Sequence, residues 1–143
     1  LTLRGPLAGP EYAARIERHP AVDWRELPEH IAQVDINIAP LVDNPQRRGK
    51  SAVKYYEAAA VGVPTVASRL NPYWDDIQHG GTGMLAGSHD EWVHMLTRLV
   101  GSPEMRRRLG DAARAQVLAK STTDALAPRF AALVARACGR QMV

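Results

Sequence analysis

A strand, a loop, a helix and a second strand follow one another between Asp35 and Ser68, and this order limits the chain to α/β folds with a parallel sheet. Asp35–Pro40 alternates polar and apolar side chains, while Val63-Pro64-Thr65-Val66-Ala67 reads as a strand entered through a proline, with the strand itself at Thr65–Ser68. The helix between them runs from about Ser51 to Val61 and is ended by Gly62. Further short apolar runs bounded by Gly, Pro or Asp predict strands at Leu1–Arg4, Ala21–Trp24 and Gly83–Ala86.

The second half of the chain carries helix signals. Ser88-His89-Asp90-Glu91 fits a capping box, followed by Trp92, Met95, Leu96, Leu99 and Val100 as an apolar stripe. Pro103, after Ser102, opens the next helix, where Met105, Leu109 and Ala112 mark the buried side and Arg106, Arg107 and Arg108 a solvated one. Ser121-Thr122-Thr123-Asp124 opens a helical tail with Leu126, Phe130, Leu133, Val134 and Ala137 as its stripe. The expected fold is a Rossmann-like α/β domain with a helical C-terminal tail.

At 143 residues and 45% apolar, the chain suits one compact domain. Leu1 in place of a methionine, with Leu1–Gly5 reading as a core strand, implies a fragment of something longer. A net charge of +3 with scattered basic residues argues against nucleic acid as a partner. No apolar run is long enough to cross a bilayer and the single Cys138 excludes a disulfide framework, so a soluble, cytoplasmic chain is expected. His19, His30, His79, His89 and His94 are spread out and no Asp-x-Asp pair occurs, so no metal site and no cofactor are expected.

The most loop-like stretch, Leu41–Gly49, follows the carboxyl end of a strand, the edge at which open α/β sheets bind ligands. It leads into Gly49-Lys50-Ser51-Ala52-Val53-Lys54-Tyr55-Tyr56-Glu57, with Ser51 placed to cap the helix. The first turn of a helix offers unpaired N–H groups and the positive end of the macrodipole, so a diphosphate fits there and Lys50 and Lys54 add charge. At about 100° per residue, Lys50, Lys54 and Glu57 fall at roughly 0°, 40° and −20°, on one face. Glu57 sits near the buried stripe and needs a partner, which is either Lys54 in an ordinary helix ion pair or a ligand.

Asp35-Ile36-Asn37-Ile38-Ala39-Pro40-Leu41, Lys50-Ser51, Lys54, Glu57 and Gly62-Val63-Pro64-Thr65-Val66-Ala67-Ser68 together resemble the C-terminal domain of retaining GT-B glycosyltransferases of the group 1 type. Asn71-Pro72-Tyr73, Ile77, Gly80, Gly83, Leu85 and Glu91-Trp92 extend the resemblance, which covers roughly Val22 to Ser121 and leans toward transferases of surface-polysaccharide and O-antigen assembly. It implies a nucleoside-diphosphate sugar donor (UDP-, GDP- or dTDP-linked) bound between this domain and an N-terminal acceptor domain, and transfer to a saccharide without a metal. It also allows an enzyme placed peripherally at the inner face of the membrane through that other domain.

On this resemblance Glu57 binds the ribose, the backbone of Ser51, Ala52 and Val53 holds the diphosphate, Lys50 and Lys54 stabilise the leaving group, and Asp23 and Trp24 build the base pocket. From the residues alone, Trp24 reads equally well as a core aromatic. Gly49 stands where the family often has an acidic residue that contacts the transferred sugar. A sugar-nucleotide epimerase half-domain and a non-catalytic nucleotide-binding or scaffold module remain open as alternatives. If an acceptor domain is absent, the stripe of Leu126, Phe130, Leu133 and Val134 is expected to be exposed, or buried by self-association.

Overall fold

Residues 10–139 of the chain are described by a computed structural model. In chain order the elements are α1 (Pro10–Ala13), α2 (Leu27–Ile31), β1 (Asn37–Ala39), α3 (Pro45–Arg48), α4 (Val53–Ala60), β2 (Thr65–Ser68), α5 (Tyr73–Asp76), β3 (Met84–Ala86), α6 (His89–Gly101), α7 (Pro103–Lys120) and α8 (Thr123–Ala137). The strands form a parallel sheet in the order β1-β2-β3. Asn37 is paired with Thr65, and Val66 with Met84. The expected α/β class and parallel sheet are what the chain adopts.

Burial explains the strand composition. All four residues of β2 are buried, because helices cover both faces of the central strand of a parallel sheet. Its side chains alternate between two cores. Ala67 joins Tyr55, Ala59, Tyr73, Leu85 and Val117 on one face, and Val66 joins Met84, Met95, Leu99 and Leu109 on the other. Helix α7 serves both, with Leu109 in the second core and Ala113 and Val117 in the first.

Helix α4 ends as its sequence predicts. Val63 N–H donates to the Ala58 carbonyl (2.9 Å) and Gly62 N–H to Ala59 (3.0 Å), with Gly62 at φ +77°, the paired bonds of a Schellman motif. The Gly62 carbonyl then faces Gly110 of α7, and a Cβ at residue 110 would overlap it. The crossing of α4 and α7 therefore has room for a glycine only.

Helix starts follow the expected caps with small shifts. Ser88 Oγ accepts from Glu91 N–H (3.3 Å), Ser102 Oγ from Met105 N–H (3.1 Å), and Thr122 Oγ1 from Ala125 N–H (3.2 Å). Glu91 reaches back to Gly87 N–H (2.6 Å) and pairs with Arg69 (3.1 Å). The Gly87 hydrogen bond first, and Arg69 after it, hold the Glu91 carboxyl below its ordinary value. A depressed carboxylate contributes stability that is present above its unfolded value and lost as pH falls through its folded value. Thermal melts should accordingly find Glu91→Gln less stable than the parent near pH 7, with the gap closing in acid; a gap independent of pH would contradict this.

Several expectations are corrected. Ala21–Trp24 is not a strand: Asp23 Oδ1 accepts from Arg25 N–H (2.9 Å) and the Asp23 carbonyl from Glu26 (3.0 Å), so the local hydrogen bonds of an Asx turn replace a sheet ladder and lead into α2. The arginine triplet is not uniformly solvated. Arg106 donates to the Leu99 and Val100 carbonyls (2.8 and 3.1 Å) at the end of α6 and pairs with Asp35 (3.1 Å), while Arg108 donates to the Gly80 carbonyl (3.2 Å). The carboxyl end of a helix has orphan carbonyls that attract such cations. Val100 is exposed, since at about 100° per residue it lies roughly 100° from the centre of the Trp92, Met95 and Leu99 stripe. The strand expected at Leu1–Arg4 lies outside the described residues.

Helix α8 leaves its stripe open as expected: Leu126, Phe130, Leu133 and Val134 are 42%, 69%, 62% and 44% exposed, and no residue of the helix is buried. No helix among the described residues is long and apolar enough to cross a membrane.

Candidate functional site

The site is built at the carboxyl end of the sheet. Ser68, the last residue of β2, is buried, and its hydroxyl accepts from Leu41 N–H (2.8 Å) and donates to the Leu41 carbonyl (3.1 Å). This pair of bonds fixes where the loop after β1 departs. Asn37 in β1 donates its side-chain amide to the Lys54 carbonyl (3.1 Å) and to Thr65 Oγ1 (3.0 Å), fastening the first turn of α4 beside the sheet. Within the loop, Pro45 starts the short α3, a turn of helix where only loop was expected.

Helix α4 begins two residues later than expected. Ala52 is its N-cap, buried to 1% exposure, and no side chain caps it, so Ser51 does not fill that role. Burial of Ala52 anchors the chain against the core and lets helical geometry start only at Val53. Of Ser51, Ala52 and Val53, only Val53 belongs to the helical first turn, whose other amides are those of Lys54 and Tyr55; Tyr55 N–H turns back to the Ala52 carbonyl (2.9 Å). Lys50 stands off the helix, exposed in the loop beside Gly49, so the shared face is reduced to Lys54 and Glu57.

Among the described residues no ion pair joins Lys54 to Glu57, and the Glu57 carboxylate takes no protein partner. Glu57 is half-buried and lines a cavity of about 620 Å³ together with Trp24, Arg25, Leu27, Ile31 and Tyr56. Trp24 is 71% exposed, which removes it from the core, and the Arg25 guanidinium lies 4.5 Å from its ring centroid. Asp23 holds Arg25 through a 3.5 Å ion pair and the turn described above, a positioning contact. Glu57 and Trp24 thus meet across one apolar cavity although they are far apart in sequence.

Tyr56 forms the cavity wall behind Glu57. Burial foremost, then its hydrogen bond to Asp76 and the negative charge of Asp76, push the Tyr56 hydroxyl up to about 12, so it stays a neutral donor at ordinary pH. Sequence reasoning missed this residue, because a tyrosine between apolar helix positions carries no signal of its own. Among the described residues an added Cβ at Gly49 would meet only the Gln46 carbonyl, at 3.9 Å, so packing against them does not require glycine there. His79 is structural: its Nδ1 accepts from Leu85 N–H (3.0 Å). No three His, Cys, Asp or Glu side chains gather into a metal site among the described residues.

The model of the family described as Glycosyl transferase-like matches residues 1–132. The chain belongs to this family. Among curated proteins it is 29% identical over 115 residues to a Glycosyltransferase 1 domain-containing protein 1 from Xenopus tropicalis, an alignment covering 76% of this chain and 33% of that protein. Among solved structures it resembles a sucrose-phosphate synthase from Thermosynechococcus elongatus (TM-score 0.79, 21% identity, 90% of this chain and 32% of that one). It also resembles the C-terminal domain of a glycosyl transferase group 1 family protein from Francisella tularensis (TM-score 0.61, 17% identity, 72% of this chain and 51% of that one). These likenesses establish the GT-B-like fold of this glycosyl transferase-like domain, which spans a third of the length of its curated relative.

Proposed function

We propose that this domain is the donor-binding half of a two-domain retaining glycosyltransferase, which holds a nucleoside-diphosphate sugar for transfer to a saccharide in polysaccharide assembly. The observation that carries this reading is the meeting, on one cavity beside α4, of an exposed Trp24 and a Glu57 carboxylate that has no partner among the described residues. A carboxylate accepts hydrogen bonds from two neighbouring ribose hydroxyls, and an aromatic face stacks a base of any identity.

The diphosphate would then sit at the start of α4, on the amides of Val53 and Lys54 and the positive end of the helix. Lys50 and Lys54, exposed at that end, supply the charge that stabilises the leaving diphosphate as the glycosidic bond breaks. Gly49 faces the transferred sugar, and the space beside it would be taken by the hexose or by a water. The saccharide acceptor would come from a partner domain, against which the open stripe of α8 would pack; a chain without that domain would cover the stripe by self-association.

Calorimetric titration with UDP, GDP, dTDP and their sugar conjugates tests the reading. One nucleotide should bind, and Trp24→Ala should weaken it by about 1–3 kcal/mol, the usual worth of one base-aromatic stack. A folded Trp24→Ala variant with unchanged affinity would place the base elsewhere, and a folded parent that binds none of these ligands would end the donor reading.

A further inference from the structure

A second cavity, of about 390 Å³, adjoins the first and shares Tyr56 and Ser121 with it. Its lining is of a different chemistry. Asp75 and Asp76, at the end of α5, form an acidic wall, while Lys120 at the end of α7 and Arg129 on α8 form a basic one. Among the described residues none of these four side chains is in an ion pair, so both signs of charge face the cavity without neutralising one another. The acidic wall is held in place by Gln116, which donates to the Asp76 carbonyl (2.7 Å), and the Asp76 carboxylate lies near enough to Tyr56 to help raise its hydroxyl.

A ligand of one charge would be repelled by one of the walls. A neutral polyol would satisfy the carboxylates but leave the guanidinium and ammonium unused. The size is that of a small-molecule pocket, at the lower end of the usual range of roughly 300–1,000 Å³. We infer that the cavity binds a monosaccharide bearing an anionic group, with Asp75 and Asp76 accepting from its hydroxyls and Lys120 and Arg129 holding its phosphate or carboxylate. Carboxylates are good acceptors for sugar hydroxyls, and Arg forks onto either anion in bidentate fashion. The cavity adjoins the one proposed for the donor, yet its binding of an anionic sugar stands independently of the donor reading.

Glucose 6-phosphate, glucuronate, glucose and inorganic phosphate titrated into the 143-residue chain, with Arg129→Ala and Asp75→Asn alongside, test this. Both substituted side chains are exposed, and a melt on each variant checks its fold. The expected result is binding of one of the anionic sugars, at least about tenfold weaker for glucose and for phosphate, and a similar loss in each variant. A preference for glucose 6-phosphate identifies the anion as phosphate, and a preference for glucuronate identifies it as carboxylate. Absence of sugar binding, inorganic phosphate binding as tightly as the sugar phosphate, or binding unchanged in both folded variants would overturn the inference. Nucleotide binding without sugar binding removes this site and leaves the donor reading; the reverse removes the donor reading and leaves this site.

Discussion

Glu57→Ala is expected to lower affinity for the nucleotide donor at least about tenfold without loss of fold. Hydrogen bonds to a charged acceptor are worth about 1.5–3 kcal/mol each, and the carboxylate is offered two ribose hydroxyls. Stability should change little, because Glu57 is half-buried and its carboxylate takes no protein partner among the described residues, so alanine strands no buried group. The role can be isolated with a 2′-deoxy analogue of the nucleotide that binds. Removing the 2′-hydroxyl should cost the parent chain affinity and cost Glu57→Ala much less, since the two changes delete the same contact. Equal losses in parent and variant would show that Glu57 does not touch the ribose, even if nucleotide binding persists.

Gly110→Ala should destabilise the domain by about 3 kcal/mol or more, a fall in melting temperature of roughly 10 °C. In an unconstrained helix the same change would stabilise by roughly 0.5–1 kcal/mol, so the sign itself is diagnostic. At residue 110 the added Cβ would run into the Gly62 carbonyl, and also within 2.8 Å of its carbonyl carbon. No rotamer change can relieve a clash between a Cβ and backbone. Gly62 cannot retreat easily either, since its positive φ and the hydrogen bonds from Gly62 and Val63 N–H fix the end of α4. Urea unfolding of both chains decides the matter, and a variant as stable as the parent would mean that α4 and α7 can separate at little cost.

The sheet was legible where strand residues lie on both sides of a helix. Thr65–Ser68 is as expected, and the strands expected at Asp35–Pro40 and Gly83–Ala86 are trimmed to Asn37–Ala39 and Met84–Ala86. The capping residues Ser88 and Ser102 were legible because an N-cap hydroxyl acts within three residues of itself. What depends on distant partners was not. Nothing near Arg106 announces Asp35 or the end of α6 as its partners, and nothing near Asn37 announces the Lys54 carbonyl. Helices α2, α3 and α5, of four or five residues, are shorter than the repeat on which an amphipathic stripe can be read. Glu57 and Trp24 were named as site residues from resemblance, but only the folded chain brings them to one cavity; for Ser51, the buried Ala52 moved the helix start beyond it.

The absence of any buried side chain from α8 divides the chain mechanically. The two cores are closed by α4, α5, α6 and α7, and no side chain of α8 belongs to either. Pro128 also deprives α8 of the backbone bond to the Asp124 carbonyl, weakening its own cohesion near the start. The sheet and its covering helices consequently form one cooperative unit, and the tail is an appendage whose residues, Arg129 aside, can be rewritten by evolution, or re-aimed toward a different neighbour, without entering the packing problem that the rest of the sequence has solved.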